Sequence, residues 1–190
     1  MSSDSSKKKL PPQRLLHELA MQDIKEVLAK NFHIVENKIL YRSAQPERKE
    51  FIELERKGCK SILNLRCKHS DLAKINGLKL REYRLQTHIV TKDDIIQALS
   101  VIRDAEVPIL VHSCAGTDRT GIIVAAYRIV FQNWSVDDAL AEYNDVLYGK
   151  HRHIYRHLSR IIRRIDWDEI KAVIGEPQWR SNEVQEALAE

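Results

Sequence analysis

Apolar positions recur along this chain in two rhythms. Short runs rich in apolar residues, Ile39 to Tyr41, Ser61 to Leu65, Leu78 to Tyr83 and Pro108 to His112, read as β-strands. The last of them stays apolar up to its final histidine, the pattern of a strand covered on both faces. Between them, helical spacing predicts helices over Glu47 to Lys57 and Asp93 to Ala105, with a short turn or helix at Asp71 to Ile75. From Thr120 onward everything reads helical, first to Val130, then Asp137 to Leu147, then Ile154 to Ile165. A leading amphipathic helix is expected from Leu15, Leu16, Leu19, Ile24, Val27 and Leu28. Alternation followed by a helical half predicts an α/β fold with a mainly parallel central sheet of about four to five strands flanked by helices.

Domain organisation follows from the same reading. Residues 1–12, mostly Ser, Lys and Pro, are expected to be a disordered tail; residues 13–174 form one domain; residues 175–190 make a polar C-terminal tail outside the core. The 190 residues leave no room for a second large domain, and no internal repeat is visible. With 31 Lys and Arg against 27 Asp and Glu, the net charge of +4 argues against a general nucleic-acid binder, so any basic surface must be local. The longest greasy stretch, Gly121 to Phe131, carries Arg128 and falls short of the ~18 residues a membrane span needs. Cys59, Cys67 and Cys114 are too few and too scattered for a disulfide framework, and no Cys/His spacing suggests zinc. The expectation is a cytoplasmic protein with no metal and no cofactor.

The segment that carries chemistry is Val111-His112-Ser113-Cys114-Ala115-Gly116-Thr117-Asp118-Arg119-Thr120-Gly121. A buried strand runs through a small-residue loop directly into a helix, so backbone N–H groups and a helix N-terminus converge on one point, an anion site. Gly116 and Gly121 have the separation of a Walker loop, but Ile122 and Ile123 stand where Lys and Ser or Thr are required, which excludes it. Arg119 at the loop's end offers a planar, always-charged fork for two phosphate oxygens. The ligand expected here is a phosphate monoester, with phosphate or sulfate as its simplest stand-in.

On these residues the chain resembles the cysteine-dependent protein tyrosine and dual-specificity phosphatases, whose signature is His-Cys, five residues, then Arg-Ser/Thr-Gly. The match runs from His112 to Gly121 with one departure: the family's nucleophilic cysteine falls on Ser113. Cys114 has only four residues before Arg119, one too few for the loop to wrap a phosphate, so the nucleophile does not simply move there. Leu40-Tyr41-Arg42-Ser43-Ala44-Gln45-Pro46, followed by a helix and Ile62-Leu63-Asn64-Leu65-Arg66, is similar to compact atypical phosphatases of bacteria, fungi and plants. Among these are a biofilm-regulating bacterial tyrosine phosphatase and the inositol pyrophosphate phosphatases. The resemblance covers about residues 38–165 and implies a dual-specificity-phosphatase-like fold.

It also implies roles. Ser113 stands at the nucleophile position, where a cysteine thiolate would attack phosphorus and form a phosphocysteine. Cys114, Ala115, Gly116, Thr117, Asp118 and Arg119 would hold the phosphate, Thr120 would donate its hydroxyl to the nucleophile, and His112 would brace the loop from behind. For the general acid, the spot where close relatives carry an aspartate is Val90. Asp118 inside the loop is the preferred candidate; Asp93 and Asp94 are alternatives, although Thr91 with two following acids is also an ordinary helix start. Arg42 and Arg66, at strand ends, either line the pocket or make surface salt bridges, and Trp134 reads as a core residue. A serine hydroxyl does not ionise as a thiol does, so the chain is expected to bind phosphate esters and hardly hydrolyse them. Two origins stay open: a substrate-trapping replacement of the nucleophile, which the retained Asp118, Arg119 and Thr120 favour, or a natural pseudophosphatase that reads phosphate. Gly149 to Arg164 carries one Lys and five Arg with no acid, a field suited to a polyanion, with Lys68 and His69 extending it. The partner is therefore either a phosphorylated protein or a polyanionic small molecule such as an inositol phosphate.

Overall fold

The structure, a computed structural model, describes residues 29–149 and 157–181. The expected leading helix, the start of the basic segment and the chain beyond 181 lie outside the described residues. Five strands form one sheet: β1 (His33–Glu36), β2 (Leu40–Ser43), β3 (Ser61–Asn64), β4 (Arg81–Arg84) and β5 (Ile109–His112). Their order is β1-β2-β5-β3-β4; β2, β5, β3 and β4 run parallel, and β1 pairs antiparallel at the edge. The sequence pattern missed β1, because His33 to Glu36 alternates buried and half-buried residues over only four positions. The fourth strand begins three residues later than its apolar run, at Arg81.

Helices α1 (Arg48–Arg56), α2 (Leu72–Ile75), α3 (Lys92–Asp104), α4 (Asp118–Gln132), α5 (Val136–Tyr143), α6 (His157–Arg164) and α7 (Trp167–Ile174) cover the sheet. Strand alternation divides the core in two. Ile62 and Leu110 face Phe51 and Leu54 of α1, whereas Leu63, Ile109 and Val111 face the opposite layer with Ile95, Leu99, Ile102 and the apolar residues of α4. Twelve of the 15 residues of α4 are buried, so it is a central helix wrapped by α3, α5, α6 and α7 rather than an amphipathic surface helix.

Two expectations need correction. Residues after 174 do reach the core: Trp179 is 3% exposed, donates its indole N–H to the Ile102 carbonyl at 3.1 Å, and packs its ring against Tyr127 and Phe131. The polar composition around it hid a single anchor. Trp134, by contrast, is only half-buried and lies under the Arg128 guanidinium, 4.5 Å from it, because Asn133 in a left-handed conformation ends α4 just before it. Among the described residues no helix is long and apolar enough to cross a membrane.

Candidate active site

Strand β5 ends at His112 in the middle of the sheet, flanked in register by Ser43 of β2 and Asn64 of β3. Carboxyl ends of parallel strands are where open α/β sheets present their ligand crevice. The chain continues through Ser113 to Thr117 and enters α4 at Asp118. Thr117, the residue before the helix, makes no side-chain cap, so the first-turn amides of α4 are left for the loop.

Neighbouring segments turn the loop's carbonyls outward. The Gln45 N–H donates to the Cys114 carbonyl at 3.3 Å, Asn31 Nδ2 to the Ala115 carbonyl at 3.3 Å, and Arg42 Nη2 to the Gly116 carbonyl at 2.8 Å. Because each peptide unit is planar, with N–H and C=O on opposite sides, carbonyls held outward aim amides inward. Gly116 has φ +70°, and a Cβ there would lie 2.4 Å from the Ser43 carbonyl carbon; only glycine lets the loop rest on the end of β2. Arg42 is thus neither a pocket wall nor a surface residue. It is fully buried beneath the loop, its guanidinium 4.4 Å from the Tyr148 ring, and burial lowers its pKa to about 10, still far above neutrality.

Ser113 is buried at the centre. Its Oγ accepts hydrogen bonds from the Gly116 N–H at 3.2 Å and from Thr120 Oγ1 at 2.9 Å. Behind it, His112 is fully buried, with Nε2 2.7 Å from Asp71 Oδ2 and Nδ1 3.4 Å from the Ser113 carbonyl. Both partners are acceptors, and the shorter contact is the one to Asp71. Burial pushes the Asp71 carboxyl up, but hydrogen bonds from His112 and Gln45 and the charges of His112 and Lys74 outweigh it and hold the group below the ordinary aspartate range. Gln45 donates to Asp71 Oδ1 at 2.7 Å and accepts from Arg66 Nη1 at 2.9 Å, so Arg66 reaches the site through a relay.

On the other side, Arg119 uses Nη1 to hold two carbonyls, Leu65 at 2.8 Å and Thr87 at 3.1 Å. The Nε–Nη2 edge of a guanidinium anchored in this way is the side-on fork suited to two phosphate oxygens. The structure therefore brings together His112, Ser113, Cys114, Ala115, Gly116, Thr117, Asp118, Arg119 and Thr120. Cys114 and Ala115 are exposed on the loop, while Thr117 and Asp118 are buried. Asp118 lies close enough to Tyr143 that its charge, after burial, pushes the phenol's pKa up.

Asp93 and Asp94 are at the start of α3. The Asp94 carboxylate accepts from the Thr91 N–H at 2.8 Å and from Thr91 Oγ1 at 2.7 Å, and Asp93 is exposed. Sequence reasoning missed Asp71 and Gln45. Asp71 precedes α2 as an ordinary cap would, yet its side chain does not cap that helix; it turns to His112 instead.

Comparisons with known proteins identify the family and the fold. A family model described as "Tyrosine phosphatase family" matches residues 26–173. The dual specificity protein phosphatase TpbA of Pseudomonas aeruginosa is 34% identical over 141 residues, covering 72% of this chain and 63% of that protein. The inositol diphosphatase SIW14 of Saccharomyces cerevisiae is 32% identical over 173 residues, covering 82% of this chain and 58% of that protein. The chain thus spans less than two thirds of the length of these relatives. Among solved structures, a cysteine-to-serine variant of P. aeruginosa TpbA in complex with pTyr superposes with a TM-score of 0.67 at 30% identity, covering 76% of this chain and 90% of that one. The SIW14 catalytic core gives 0.65 at 30% identity, with 78% and 93% covered.

Proposed function

Since the chain belongs to the tyrosine phosphatase family, we propose that it is a phosphomonoester hydrolase fold held in a substrate-trapping form by Ser113. The observation that carries this reading is the hydrogen bond from Thr120 Oγ1 to Ser113 Oγ at the base of an amide-lined loop that ends in Arg119. A nucleophile at position 113 sits where loop amides, the N-terminus of α4 and His112 all stabilise negative charge. With sulfur there, the thiolate would attack phosphorus, the ester oxygen would leave, and a phosphocysteine would form. Arg119 would hold the equatorial oxygens through that charged transition state. Water would then attack phosphorus, and Thr120 would donate to the departing sulfur. With a hydroxyl at 113 the binding half remains and the covalent half stops. A natural pseudophosphatase that reads phosphate esters would use the same binding half; Arg119 and the loop suit both readings, whereas retained Asp118 and Thr120 favour the hydrolase.

Asp118 is the proposed general acid. It lies in the first turn of α4 beside Arg119, while the Asp94 carboxylate is engaged in capping α3. The substrate class is a phosphorylated protein or an inositol polyphosphate, a reading supported by relatives named a dual specificity protein phosphatase and an inositol diphosphatase. The test is a phosphate-release screen of the Ser113→Cys protein over phosphotyrosine peptides and inositol phosphates. Turnover is expected to rise at least about a thousandfold over the unaltered chain, since deleting a covalent nucleophile costs up to ~10⁶ in rate; no gain would favour the phosphate reader. In that background Asp118→Asn should slow substrates with poor leaving groups by roughly 10²-fold and Asp94→Asn much less. The reverse order would refute the assignment.

A further inference from the structure

The two loops gripped by Arg119 also bring together a pair that phosphate chemistry does not use. Cys67, two residues beyond Leu65, has its Sγ 2.9 Å from Nε2 of His88, one residue beyond Thr87. Cys67 is half-buried and His88 exposed. The three cysteines differ sharply. Cys59 is 2% exposed, its thiol lies 3.4 Å from the Ser61 and Pro108 carbonyls, and burial pushes it up to about 12. Cys114 is exposed on the phosphate loop. Among the described residues, Cys67 is the cysteine with an imidazole within hydrogen-bond reach. Among the described residues no group of three His, Cys, Asp or Glu that could hold a metal ion forms.

An imidazole at that distance is placed to accept the thiol proton as the sulfur attacks, and the thiolate is the reactive form of cysteine. We propose that Cys67, with His88 as its base, is a covalent modification site for hydroperoxides and small soft electrophiles at the rim of the phosphate site. With a hydroperoxide, the Cys67 proton passes to His88 Nε2 and the sulfur attacks the distal oxygen. The O–O bond breaks, and the departing alkoxide recovers a proton from the imidazolium. Cys67 ends as a sulfenic acid and the hydroperoxide as an alcohol, a two-electron exchange without further reactants. With iodoacetamide, an S–C bond forms, the C–I bond breaks, and iodide leaves while the proton remains on His88.

The unaltered protein is pulsed with limiting iodoacetamide at neutral pH, and the rate at each cysteine is read by peptide mass spectrometry. With His88 accepting the thiol proton as the sulfur attacks, Cys67 should react about threefold or more faster than glutathione. In His88→Asn it should slow by a similar factor while Cys114 is unchanged and Cys59 stays unlabelled, the sign that the fold is intact. After dilute hydrogen peroxide, a cyclic 1,3-dione should mark Cys67. A Cys67 rate no faster than glutathione, indifference to His88→Asn in the folded variant, or no dione adduct overturns the proposal. If Cys59 labels in the variant, the unaltered protein's rate and adduct alone decide.

Discussion

The two sides of the phosphate loop are built differently. Toward β2 the loop lies on a buried cradle: Gly116 against the backbone of Ser43 and Ala44, Arg42 beneath it, and three loop carbonyls bound by Asn31, Arg42 and Gln45. Toward β3 and β4 it is closed by one side chain, Arg119, gripping Leu65 and Thr87 on loops that carry exposed residues. The amide half of the anion site is fixed by packing, which tolerates little change of volume. The guanidinium half is fixed by hydrogen bonds, each adding on the order of 1 kcal/mol. Damage to the cradle should therefore distort the site, and damage to the clamp should weaken it without moving it.

The strongest way to break this contrast is Gly116→Ala. A methyl group 2.4 Å from backbone, at φ +70°, has nowhere to go, so the loop must shift. Affinity for a phosphotyrosine peptide, measured by calorimetry, should fall by about 100-fold or more, a ~3 kcal/mol effect of the size such strain produces; unchanged affinity would mean the cradle does not set the loop. Arg119→Lys tests the clamp. It keeps the charge and loses the fork, so affinity should drop about tenfold while the melting temperature falls by about 2–4 °C, the effect of one lost hydrogen bond of ~1 kcal/mol. A melting shift as large as that of Gly116→Ala would erase the distinction between the two sides.

The smallest expected effect concerns Asp71, which joins both sides through Gln45 and Arg66. A carboxyl held below its unfolded value of ~3.9 contributes stability that is fully present above that value and is lost as pH falls through the lower folded value. The difference in melting temperature between the unaltered chain and Asp71→Asn should hence shrink as the pH falls below about 4. A gap that widened on acidification would contradict the pairing with His112.

The parts legible in sequence were those that are local. His112 to Gly121 contains the strand end, the loop, the guanidinium and the helix start within ten consecutive positions, so their chemistry could be read directly. Parallel strands with one continuous apolar member were legible for the same reason. What assembled through the sheet was not. Asp71 meets His112 across 41 residues and Arg42 meets Gly116 across 74, and neither carries a local pattern that names its partner. Arg42 reads as a polar strand end, yet it is buried because Tyr148 and a loop carbonyl together take its charge. Asp94 was ambiguous between acid and cap until its contacts with Thr91 were visible.

Trp179 adds a consequence in the order of synthesis. The helix that begins at the phosphate loop buries Tyr127 and Phe131 against that indole, which enters the chain nearly fifty positions after the helix has been made. While a ribosome is still extending the chain, those two rings lack their cover, and the helix carrying Arg119 cannot finish its packing. The residues of the anion loop are thus made before the indole that covers the later turns of their helix.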